Sequence, residues 1–97
     1  MKSRKVIELP ASTVESIIRD LSLLIVSMDH IGSTYHDDPK QQAIELDGYF
    51  SKVKAFRKLA RARSVLSEAY SSQSNKADVL RLEESAENLP YWKPNKH

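Results

Sequence analysis

Between Val14 and Ile31 the apolar residues return every three or four positions: Val14, Ile17, Ile18, Leu21, Leu24, Ile25, Met28 and Ile31. That is the 3.6-residue repeat of an amphipathic helix, and it predicts one over about residues 12–31. Ser12 followed by Glu15 has the form of a capping box at its start. Gly32 suits a left-handed residue just past its end. Leu23 and Val26 lie off the main stripe and widen the apolar face beyond what one neighbouring helix covers. Such a helix is either wedged between two others or forms a dimer seam.

A second start follows at Asp38-Pro39, where Asp38 can cap and Pro39 suits the first helical position. After Pro39 the only Gly or Pro before residue 72 is Gly48, so one long helix is expected over about 39–72. Its apolar residues run from Leu46, Tyr49, Phe50, Val53, Phe56, Leu59 and Ala60 to Leu66, Ala69 and Tyr70, and the stripe drifts around the helix. At about 50 Å such a helix overhangs the first, so its far half needs cover from elsewhere. Ser71-Ser72-Gln73-Ser74-Asn75 then breaks the pattern. A short third helix is expected over about 76–88, with Val79, Leu82, Ala86 and Leu89 on one face, Asn75 or Ser74 as its cap and Asp78 in its first turn.

The flanks differ from this helical middle. Residues 1–10 form a basic lead-in around Val6-Ile7-Glu8-Leu9, expected to be extended and closed by Pro10. Residues 90–97 form a second extended segment, because Pro90 and Pro94 bias their neighbours away from helix around Tyr91 and Trp92. The expected fold is all-α: a single helical domain over 11–89, built as a long helical hairpin plus a short third helix, with a four-helix core on dimerisation.

Composition narrows this picture. Ninety-seven residues allow one modest core. With 2 Gly and 4 Pro the chain lacks the turns that β-sandwiches and barrels need, and with no Cys it has neither disulfides nor thiolate metal sites. The net charge of +2 is too small to imply nucleic acid or anionic membrane. No apolar run follows the basic start, and the longest uncharged stretch, Leu21 to Met28, is far short of a membrane span, so a cytoplasmic protein without membrane contact is expected.

Chemistry-bearing motifs are sparse. No serine lies in a G-x-S-x-G elbow, two isolated glycines make no phosphate loop, and the paired acids Asp37-Asp38 and Glu83-Glu84 read as caps or solvated faces. His30 and His36 straddle a Gly-containing helix end, so no fixed spacing sets a metal site. No catalysis, cofactor or metal is expected.

Two surface features remain. Lys54, Arg57, Lys58 and Arg61 form one cationic stripe in a segment, 52–63, that contains no acid. Such a stripe can track phosphates, dock an acidic protein, or be neutralised by the acidic third helix with its Asp78, Glu83, Glu84 and Glu87. Tyr91 and Trp92, between prolines, either fold back to cap the bundle or serve as aromatic anchors for a partner, capping being the favoured role. The sequence therefore points to a small protein-binding module, an inhibitor, immunity or accessory regulatory protein that homodimerises. The alternative is a nucleic-acid-binding regulator using the same stripe.

Overall fold

A computed structural model describes residues 5–94. All regular elements among them are helices: α1 (Ala11–Thr34), α2 (Pro39–Val53), α3 (Ala55–Gln73) and α4 (Lys76–Glu87). Among the described residues the fold is all-helical, with four helices where the periodicity suggests three.

The extra helix comes from a break in the long second one. Lys54 takes φ 56° and ψ 51°, the left-handed region, and terminates α2 while opening α3. Its amide N–H closes the last turn of α2 on the carbonyls of Phe50 and Ser51, and its own carbonyl accepts from Lys58 N–H as α3 begins. A lysine there carries no sequence signal, because the left-handed region is ordinarily the place of Gly or Asn. The drift of the apolar stripe is the one visible trace of the bend.

The other helix ends divide into two kinds. Asp38 caps α2, its Oδ1 accepting from Gln41 N–H at 3.1 Å with Pro39 in the first turn. Asn75 caps α4, its Oδ1 accepting from Asp78 N–H at 2.8 Å. At α1 no capping box forms. The Pro10 carbonyl accepts from Thr13 and Val14 N–H, which starts the helix one residue earlier and leaves Ser12 inside its first turn. Gly32 is likewise no terminus: α1 runs through it to Thr34, and Gln42 Nε2 of α2 donates to its carbonyl at 3.3 Å.

α1 is the spine. α2 and then α3 run antiparallel along it, as the polar cross-links show. Tyr49 Oη donates to the Leu23 carbonyl at 3.2 Å, Arg61 reaches Asp20 and Ser16, and Gln73 reaches Glu8. The last contact is reciprocal. Gln73 Nε2 donates to the Glu8 carbonyl at 2.6 Å while Glu8 N–H donates to Gln73 Oε1 at 2.7 Å, so one side-chain amide satisfies both backbone groups of an extended residue.

The core is thin. Its buried apolar residues are Ile17 and Leu24 of α1, seven apart, against Ala55, Ala62 and Ala69 of α3, also seven apart. The alanine stripe lets α3 approach α1 closely, but among the described residues Ile17 and Leu24 are the only large apolar side chains that are buried. The radius of gyration is 17.8 Å, against about 13 Å for a compact domain of this length. The accessible surface is 8494 Å², against about 5,600 Å² for a folded monomer of this mass.

Candidate partner-binding surface

The surplus surface is organised. Turning about 80° around α1 from the buried Ile17 and Leu24 brings up Val14, Ile18, Leu21, Ile25 and Met28, alternately four and three apart. This is the a/d spacing of a coiled-coil seam. Leu21 is half-buried, whereas Val14, Ile18, Ile25 and Met28 are exposed. Leu23 and Val26 are exposed too, on other sides of the helix. The wide apolar face of α1 is thus only partly covered by the rest of the chain.

A second apolar surface lies at the α2–α3 bend. The left-handed turn at Lys54 swings α3 away from the line of α2 and opens a groove of about 1040 Å³. Phe50, Phe56, Leu59 and Ala60 form its apolar lining, and Lys54, Arg57 and Arg63 add positive charge. Phe56 is 71% exposed, more than any other large apolar residue of the four helices.

The structure divides the predicted cationic stripe. Arg61 Nη1 pairs with Asp20 Oδ2 of α1 at 3.2 Å, and its second nitrogen donates to Ser16 Oγ at 3.1 Å. Lys58 turns back to donate to the Val53 carbonyl at 2.8 Å, satisfying a backbone group left open by the bend. Arg57 and Lys54 stay at the groove, together with Arg63, which the stripe did not include. The neutralising partner inside the chain is therefore α1, at Arg61 alone, and not the acidic α4. Among the described residues no ion pair joins α4 to the stripe.

α4 is held at the opposite end of α3. Asp78 binds the Lys5 ammonium and pairs with Arg81 at 2.9 Å, while Lys5 also lies 5.2 Å over the Tyr70 ring. The hydrogen bond from Lys5 is the main reason the Asp78 carboxyl sits below its ordinary pKa of 3.8; burial opposes the shift, and the charges of Lys5 and Arg81 add to it. On the far side of α4, Leu80 is exposed among Glu83, Glu84 and Glu87.

The aromatic tail does not cap the bundle. Tyr91 is tied locally, its hydroxyl donating to the Ala86 carbonyl at 2.6 Å, and the chain leaves α4 extended with Trp92 85% exposed. The expected fold-back fails because the bundle end near α4 is closed by Lys5, Tyr70 and Gln73 instead. The predicted site residues thus fall into three places: Lys54 and Arg57 at the groove, Lys58 and Arg61 tied to the Val53 carbonyl and to α1, and Tyr91 and Trp92 beyond α4.

Among the described residues no group of three or more metal-ligating side chains converges. His36 is engaged locally, with Nε2 2.8 Å from Asp37 Oδ1 and Nδ1 3.1 Å from the Ser33 carbonyl. Among the described residues no helix is long and apolar enough to cross a membrane.

No family model matches the chain, and no solved structure matches it. Over 96 residues, 99% of its length, it is 29% identical to a Caenorhabditis elegans protein named only as uncharacterized. The matched stretch is 4% of that protein, so the chain spans a small fraction of the relative's length.

Proposed function

We propose that this chain is a small helical protein-binding module that acts by occupying a partner rather than by catalysis, in the manner of an inhibitor, immunity or accessory regulatory protein. The observation that carries this reading is the exposed seam Val14-Ile18-Ile25-Met28 on α1, a helix whose adjoining edge is already the core of the molecule. Apolar seams with a/d spacing are stabilised by a facing helix, and monomers rarely leave contiguous patches of this kind in water. Self-association into a homodimer belongs to the same reading. The size of the worm relative favours it as well, since a stretch of this length embedded in a far longer protein fits a module that works by contact.

The nucleic-acid alternative is weakened by what happens to the stripe. Phosphate tracking needs several free cations in a row. Here Arg61 is bound to Asp20, and Lys58 to a backbone carbonyl.

Photo-crosslinking in cells tests the reading. A benzoyl-phenylalanine placed at Ile18 should capture protein, and the same group at Arg19, on the polar side, should not. Equal capture at both positions, or crosslinks to nucleic acid alone, would contradict it.

A further inference from the structure

The groove at the α2–α3 bend and the outer face of α4 are complementary, and one chain cannot bring them together. The groove offers Phe50, Phe56, Leu59 and Ala60 with Lys54, Arg57 and Arg63 at its margins. The outer face of α4 offers Leu80 with Glu83, Glu84 and Glu87 around it. Among the described residues none of these three cations and none of these three acids has an ion-pair partner. The groove lies at the N-terminal end of α3 and α4 is attached at its C-terminal end, about 28 Å away along 19 residues. The link between α3 and α4 is only Ser74 and Asn75, and Asp78 is anchored to Lys5, so α4 cannot fold back to its own groove.

A second copy removes the obstacle. Under a two-fold axis perpendicular to α3 the two α3 helices run in opposite directions, so the C-terminal end of one can lie beside the N-terminal end of the other. We infer that the chain forms a homodimer by reciprocal exchange, the outer face of each α4 seating Leu80 in the partner's α2–α3 groove with its glutamates against Arg57 and Arg63. The occupant is set by two observations. The three cations of the groove equal the three glutamates of α4 in number and oppose them in sign, and the surplus surface is of the size that stable dimers bury. The contact uses faces other than the α1 seam, so a dimer built this way keeps that seam for another protein. The inference rests on the protein-binding reading only in that both treat uncovered apolar surface as an interface.

The test is a charge swap read by sedimentation of the full chain over a micromolar dilution series. In one variant Arg57→Glu and Arg63→Glu are combined, in the other Glu84→Lys and Glu87→Lys. All four positions are exposed, and circular dichroism confirms retained helicity. Wild type should be a dimer, and each variant alone should dissociate at least about tenfold more readily, because both copies of its contact now oppose like charges. Mixing the two variants should restore the dimer, since in the heterodimer one contact is native and the other fully reversed. Wild type with the mass of one chain, variants that remain as dimeric as wild type, or a mixture that stays dissociated would each overturn the inference. A monomer that still crosslinks protein through Ile18 would remove this dimer and leave the binding reading standing.

Discussion

Lys54 decides the shape of the molecule. A non-glycine residue in the left-handed region costs about 1–2 kcal/mol, and here it separates α2 from α3 and opens the groove. Replacing it tests whether the bend belongs to the folded state. Lys54→Gly should raise stability by about 0.5–1 kcal/mol in chemical denaturation, because glycine takes that backbone conformation without a Cβ penalty. A loss of about 1 kcal/mol, the ordinary cost of glycine inside a helix, would mean that residues 39–72 form one continuous helix in solution. The bend was illegible at this position because no local residue preference announces it. Asp38 and Asn75, by contrast, were legible as caps, since their short side chains do one recognisable thing at a helix start. Ser12 shows the limit of that rule: a capping pattern one residue inside a helix that Pro10 already starts has no cap to make.

Among the helices, α1 is legible in the sequence as a helix with a wide apolar face, because a period of 3.6 persists through eight apolar positions. The sequence could not say which part of that face is covered inside the chain. Burial of Ile17 and Leu24 rather than Ile18 and Ile25 depends on where the alanines of α3 fall, a long-range matter. The docking of α4 is similarly non-local, since it hangs on Lys5 from the other end of the chain. This docking carries a pH dependence. The folded Asp78 carboxyl has a lowered pKa, so its contribution is complete above the ordinary value of 3.8 and is lost as pH falls through the depressed value. In chemical denaturation, Asp78→Asn should therefore lower stability at neutral pH and have progressively less effect as the pH falls below 3.8. A loss that does not depend on pH would contradict this account of α4.

For the whole molecule, the all-helical class was fixed by composition and periodicity, whereas the openness of the assembly was not. A bundle of this length with 8494 Å² of accessible surface has far more area in water than a monomer needs, and Leu24, only 3% exposed, is its best-buried large side chain. The two apolar surfaces are distinct: a seam on α1 and a groove at the bend. The sequence held both in the same list of apolar residues and could not separate them, because their separation follows from the left-handed turn at Lys54. The cationic stripe was legible as a set of residues, but its division into Arg61, bound to α1, and Arg57, left at the groove, required the structure.

Light scattering on a size-exclusion column, read at 260 and 280 nm, tests the claim that the chain associates with itself and not with nucleic acid. The expected result is a protein-only peak at twice the 11.0 kDa of one chain, unchanged in absorbance ratio by salt. A peak with the mass of one chain at high concentration, or one carrying 260 nm absorbance that salt removes, would contradict it.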